Sequence, residues 1–270
     1  MVTQLCKWSE SNWLFANCHQ TKTLGFILAK VSINVKCTFA FKKFAEPITS
    51  ISIWLDAKEK TSFAEEMDKV YEKALADGVI KSGNRESIDL LMERATFAKD
   101  EAQQEETRQE LEQYGTYIYE AEEVSWPPCN TSDDVTLYTP MVFYQAWEKT
   151  WTVTCGGNWN HTNQLKPVLW GDVGDEDAFG VKFTDSTQVY RSSVVRVSAY
   201  LADEDMEKKV TTYNRSDGDG SKGFSFQLQD YTYFVPFKTG YVGYKWYGSC
   251  TYDSGFGAYD GVATAYYVPT

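Results

Sequence analysis

The sequence predicts an α+β fold in which an N-terminal β-hairpin and a helical hairpin precede an antiparallel all-β sandwich or partly closed barrel. Three observations carry this prediction. Apolar residues alternate with polar ones at period two near both ends of the chain, as half-buried strands require. Between them lies a capped stretch at helical spacing. Charge and aromatic side chains are also divided unevenly. Residues 1–60 hold 8 basic and 4 acidic side chains, 61–125 hold 7 and 17, and 126–270 hold 11 and 17, whereas the aromatics divide as 8, 6 and 28. The expected organisation is a β-hairpin segment over 1–60, a helical hairpin over 61–114 and an aromatic-rich β-sandwich domain over 115–270.

In the first piece Ile33, Val35, Cys37, Phe39 and Phe41 alternate with polar or small residues, which reads as a strand. Pro47 then interrupts any ladder, and Ile51, Ile53 and Leu55 alternate with Ser50, Ser52 and Trp54 as a second strand, hence a hairpin. The middle piece opens on Ser62 and Glu65, the spacing of a capping box, with Phe63, Met67, Val70, Ala74 and Leu75 at helical intervals. Asp77-Gly78 and Ser82-Gly83-Asn84 interrupt the pattern, and Asn84 caps a second helix with Ile88, Leu91, Met92, Ala95 and Ala98 on its inner face. Beyond Lys99 the acidic run has almost no apolar stripe, so this end reads as a solvated or fraying helix. From Gly115 onward strands are expected around 150–155, 194–199, 224–229, 231–237, 241–247 and 262–268, separated by Gly-, Asp- and Ser-rich turns.

Composition removes some functions. With 26 Lys+Arg against 38 Asp+Glu the net charge is −12, the wrong sign for releasing counterions from nucleic acid. The best apolar run, Leu24–Ala29 between Lys22 and Lys30, is far short of the roughly 18 residues of a spanning helix, so no transmembrane segment is expected. Its length is also below the roughly 7–15 residues of a signal-peptide core. Two histidines, His19 and His161, give little material for a catalytic triad or a multi-histidine zinc site.

The remaining candidates are these. Cys155 and Cys250 lie on or beside strands and are expected to close a disulfide, and six cysteines without CxxC spacing argue against a redox motif. Asp217, Asp219 and Ser221 place oxygens at positions one, three and five of a calcium-like loop. Lys222 and Leu228 stand where such a loop needs Gly and Glu, so a plain turn competes and calcium is the only cofactor in view. Trp159, Trp170, Tyr244, Trp246 and Tyr247 belong to an aromatic set larger than strand cores need, and are the expected ligand-stacking residues. Asn130, Asn160 and Asn214 each begin a glycosylation sequon.

The stretches Ser216–Gly223 and Gly243–Asp253 resemble uncharacterised secreted proteins of Gram-positive, Clostridia-type bacteria. That resemblance implies an extracellular compartment and no particular activity. The expected function is a secreted or cell-surface, non-enzymatic binding protein recognising a glycan or a surface protein. Two alternatives stay open: a pore-forming or membrane-damaging toxin, suggested by the amphipathic stretch 33–41, and a secreted hydrolase using paired carboxylates from the acidic clusters.

Overall fold

A computed structural model describes residues 4–8, 12–16, 49–121, 129–131, 135–160, 171–172, 177–184, 196–201, 210–212, 220–229, 231–235 and 238–268. The chain divides into two compact units, Met1–Phe44 and Ala45–Thr270. In the first, β1 (Gln4–Trp8) and β2 (Asn12–Ala16) form an antiparallel hairpin in which Gln4 faces Ala16 and Trp8 faces Asn12. The expected strand over 33–41 lies outside the described residues.

The second unit is α+β and mostly antiparallel sheet. It opens with β3 (Thr49–Leu55), which pairs with the last strand of the chain, β15 (Gly261–Val268), from Leu55↔Gly261 to Thr49↔Tyr267. Three helices follow: α1 (Ala57–Ala76), α2 (Arg85–Thr96) and α3 (Glu101–Glu112). Asp56 caps α1, its carboxylate accepting from the Glu59 N–H at 2.8 Å. The helix therefore starts a turn and a half before Ser62, which lies exposed within it instead of forming a capping box. Gly78, at φ 69°, ends α1 with the Val79 N–H on the Ala74 carbonyl at 2.9 Å, the left-handed helix stop that glycine adopts without strain. Asn84 caps α2 as expected, accepting from the Ser87 N–H at 2.8 Å.

The acidic run is a separate helix and not a fraying end. Asp100 caps α3 through the Gln103 N–H, Thr107 and Leu111 are buried, and Arg94 of α2 donates to Thr107 Oγ1 at 2.9 Å and to Glu110 Oε1 at 2.7 Å.

After α3 come β4 (Thr116–Tyr119), β5 (Cys129–Thr131), β6 (Val135–Gln145), β7 (Thr150–Trp159), β8 (Gly171–Asp172), β9 (Asp177–Phe183), β10 (Arg196–Leu201), β11 (Val210–Thr212), β12 (Gly223–Leu228), β13 (Tyr231–Val235) and β14 (Lys238–Tyr252). A 3-10 turn at Ser254–Ala258 leads into β15. The larger sheet runs β11-β10-β14-β7-β6-β4, with β5 also on β6, β13 on β14 and β8 on β13. The smaller runs β12-β9-β15-β3.

The two sheets share one core. Phe179, Val181, Phe183, Ala263, Ala265 and Tyr267 of the smaller sheet meet Val153, Cys155, Trp246, Cys250 and Tyr252 of the larger. Trp246 stacks on Tyr267 with centroids 4.2 Å apart at 19°, an aromatic pair joining the sheets. Close approach requires glycine here. A Cβ on Gly180 would lie 2.1 Å from the Phe224 carbonyl of the neighbouring strand.

The alternation over 150–155 is present, and its polar side is not solvent-facing. Trp151, Val153 and Cys155 enter the shared core, whereas Thr150, Thr152 and Thr154 are buried beneath the helices. Burying hydroxyls costs free energy unless each finds a partner. Thr154 pairs with Thr96 at 2.9 Å, Thr152 with Thr251 at 2.8 Å and with Gln145 Nε2 at 3.1 Å. An apolar cluster of Ile88, Met92, Ala95, Leu111, Ile118 and Phe143 completes this second layer.

Candidate functional site

A groove of about 470 Å³ opens where α3, the end of α2, β4 and β6 meet. Its construction begins with the period of α3. Glu101, Gln104, Glu105 and Arg108 recur at i, i+3, i+4 and i+7 and so share one helix face, which forms a polar wall, while Thr107 and Leu111 turn inward. Facing them, Glu120 and Ala121 continue beyond β4, and Ile53 of β3 with Ala95 and Ala98 at the end of α2 supply apolar surface.

The third side is a defect in β6. Tyr138 pairs with Gly156 and Met141 with Thr154, so β6 carries one residue more than β7 over this interval, a β-bulge at Thr139-Pro140. Proline contributes no N–H, which suits it to this break in the ladder. On the opposite edge β4 pairs with β6 only as far as Val142, and β5 begins at Tyr138. Among the described residues, Thr139–Met141 therefore have no strand beside them on the groove side. Thr139 is 5% exposed, lines the groove, and its buried hydroxyl has no hydrogen-bond partner among the described residues.

Arg108 ties the polar wall to the strand side by an ion pair with Glu120, and lies 3.4 Å through Nε from Glu105. Glu105 and Glu120 are more than half exposed, so each pair contributes only about 0.2–1 kcal/mol. Among the described residues, three carboxylates and one guanidinium give the lining of the groove a net charge of −2. Such a surface can accept hydrogen bonds and attract a cation.

A second unusual group stands apart. Lys60 is fully buried, donating to the Tyr259 carbonyl at 2.5 Å and the Asp56 carbonyl at 3.2 Å, with the Phe256 and Tyr259 rings 5.8 and 5.9 Å away. Burial pulls its ammonium down to about 8 against the opposing pull of Asp260, Asp56 and Glu59. Its contacts clamp the start of α1 to the turn before β15.

The aromatic set expected to stack on ligand is dispersed. Trp246 and Tyr247 are wholly buried, the first on Tyr267 and the second against Phe97, and so present no face to a ligand. Trp159 is half-buried with its ring edge-on to Tyr267, Tyr244 is half-buried on β14, and Trp170 lies outside the described residues. The most exposed large aromatic among the described residues is Trp54 at 54%, on the outer face of β3. Its alternation with Ile53 and Leu55 was the available signal, since the two aliphatics point inward.

The expected Cys155–Cys250 disulfide is not formed. Both thiols are buried, and the register places Cys155 opposite Gly248 and Cys250 opposite Val153. They are thus diagonal neighbours, whose Cα atoms stand roughly 7–8 Å apart in a sheet, beyond the reach of a disulfide. Burial pushes the Cys155 thiol far above its ordinary range. Asp217 and Asp219 lie outside the described residues, and Ser221 sits in the turn before β12. Among the described residues no group of three or more His, Cys, Asp and Glu is placed to hold a metal ion, and no helix is long and apolar enough to cross a membrane.

Comparison of the chain with protein-family models, with curated proteins and with solved structures finds no match.

Proposed function

We propose that this chain is a secreted or cell-surface binding protein that recognises a surface protein through the α3–β6 groove, with the two sheets acting as a sandwich-like support. The observation that carries this is the groove itself. Its volume of about 470 Å³ lies in the range of ligand pockets, and it joins apolar surface to a few convergent polar groups. Its elements are held rigidly from behind by the Arg94 contacts and the paired threonines, which supports recognition by a preformed surface. Acidity favours a partner presenting a basic segment, because complementary charge steers encounter and penalises acidic competitors.

A second reading has its own observation. Trp54 projects from the outer face of the smaller sheet beside Val262, with the Ser52 and Thr264 hydroxyls bonded at 2.8 Å on the adjoining cross-strand pair. An exposed indole next to hydroxyls is suited to stacking on a sugar ring.

Arrays of cell-wall glycans, peptidoglycan and purified surface proteins, probed with the wild-type chain, Glu101→Gln/Glu105→Gln and Trp54→Ala, separate the two. Loss of signal in the Gln variant alone supports the groove, and loss in Trp54→Ala alone supports the glycan face. No binding to any class overturns both.

A further inference from the structure

We infer that the outer face of the smaller sheet is a platform for an uncharged, linear oligosaccharide, with one sugar ring stacked on Trp54 and its neighbours running across β15 toward Tyr266. This deepens the reading of Trp54 as a sugar-stacking residue, rests on it, and is independent of the α3–β6 groove.

The register lays this face out as a grid. Alternate residues of β12, β9, β15 and β3 enter the shared core, so the residues between them point outward. Trp54 stands beside Val262. The next row holds Ser52, Thr264 and Lys182, and the row after it holds Tyr266 opposite Ser50.

Three features of the grid specify the ligand. Trp54 is 54% exposed, whereas Ile53 and Leu55 on either side of it are buried. An indole held in water on a packed strand gains by being covered, and the apolar face of a sugar ring covers it while the N–H stays available to a hydroxyl. The second feature is charge. The chain carries 38 Asp+Glu in 270 residues, yet the outward positions of these four strands hold none, and Lys182 is their one charged side chain. A basic ligand finds no carboxylate here and a polyanion a single cation, so the electrostatics favour an uncharged partner. The third is the polar chemistry between the rings. The Ser52 and Thr264 hydroxyls are bonded at 2.8 Å, which uses one of their two protons and leaves the other, with spare lone pairs, for a sugar hydroxyl. This row also separates the Trp54–Val262 pair from Tyr266, so the face lacks the continuous apolar centre of a protein interface.

Length follows from the same grid. Trp54 and Tyr266 are two rows and one strand apart, which at about 6.7 Å per row and 4.8 Å per strand is roughly 14 Å. One sugar ring does not span that distance, so an oligosaccharide engages both side chains and a monosaccharide only one.

The test is calorimetric titration of the full chain. Cellohexaose, chitohexaose and mannohexaose serve as uncharged linear probes, beside their three monosaccharides and hexagalacturonate as an anion of equal length. At least one uncharged hexamer is expected to bind saturably, its monosaccharide about tenfold more weakly or less, and hexagalacturonate not at all. Trp54→Ala should weaken the hexamer about tenfold or more, and Trp54→Phe, which keeps a ring, by less. Tyr266→Ala should weaken it about threefold to tenfold. If that half-buried change lowers the melting temperature, the Trp54 variants, at an exposed position, still decide. Glu101→Gln/Glu105→Gln should leave the affinity unchanged.

A hexamer bound no more tightly than its monosaccharide, hexagalacturonate bound as tightly as the uncharged hexamers, or full affinity in a stably folded Tyr266→Ala overturns the inference and leaves Trp54 standing as a sugar-stacking residue. Undiminished binding in Trp54→Ala, or no binding of any hexamer, overturns both.

Discussion

Replacing Lys60 with methionine isolates the effect of burying one ammonium. The side chain is fully buried, its Nζ bonded to the Tyr259 and Asp56 carbonyls, and its pKa is drawn down to about 8 by desolvation from 10.5. The sign follows from proton counting. Below pH 8 both folded and unfolded chains carry the proton and the penalty of burying the charge is constant. Between pH 8 and 10.5 the unfolded chain binds more protons than the folded one, so stability rises with pH. At 1.36 kcal/mol per pKa unit the full interval corresponds to about 3 kcal/mol, of which about 2–3 kcal/mol is gained between pH 7 and 10. Other groups titrate in this window, and they cancel in the difference between wild type and Lys60→Met. Urea denaturation of both at pH 7, 8.5 and 10 should therefore show the wild type gaining on the variant by about 2–3 kcal/mol. Parallel stability curves, or a difference that shrinks as pH rises, would refute the desolvation argument.

Other substitutions test the packing. Gly180→Ala drives a methyl group into the Phe224 carbonyl and the Ser225 Cα of a paired strand, so a loss of about 3 kcal/mol or more is expected by urea denaturation. Phe97→Ala removes the ring that packs edge-on against Tyr138 at 5.2 Å and also meets Tyr247, which should cost about 3–5 kcal/mol and free the end of α2 from the larger sheet. In a variant keeping only Cys155 and Cys250 of the six cysteines, neither thiol should react with a disulfide reagent until the chain is unfolded, and reductant should leave the melting temperature unchanged.

Strands were the most legible part of the fold. Residues 151, 153 and 155 announce the inward face of β7, and Ile51, Ile53 and Leu55 that of β3, because a buried face imposes period two directly on the sequence. What covers the other face was not legible. Thr150, Thr152 and Thr154 look like a solvent side, and only the hydroxyl and amide pairings supplied by Thr96, Gln145 and Thr251 allow that face to be buried. These partners lie 5 to 99 residues away along the chain.

The site was hidden for related reasons. The α3 stripe of Glu101, Gln104, Glu105 and Arg108 reads in sequence as a solvated face, and its spacing acquires meaning only when the β6 bulge is placed opposite. The aromatic surplus pointed to a stacking surface. Instead the rings of Trp246, Tyr247, Tyr252, Phe256 and Tyr267 pack on one another or on Phe97, since two facing sheets have more interior to fill than a single amphipathic strand reveals. Cys155 and Cys250 were read as lying on or beside strands; those strands are neighbours, yet a two-residue offset in register, invisible in sequence, separates their sulfurs.

Hydrogen exchange of the full chain with and without a short lysine-rich peptide, a probe for a partner's basic segment, tests most directly whether the groove is the binding surface. Slowed exchange is expected at the end of α2, the first two turns of α3, residues 118–121 and the Thr139–Met141 edge, with Trp54 and its neighbours on β3 and β15 unchanged. Protection confined to the outer face of the smaller sheet, or no protection at saturating peptide, would contradict the account.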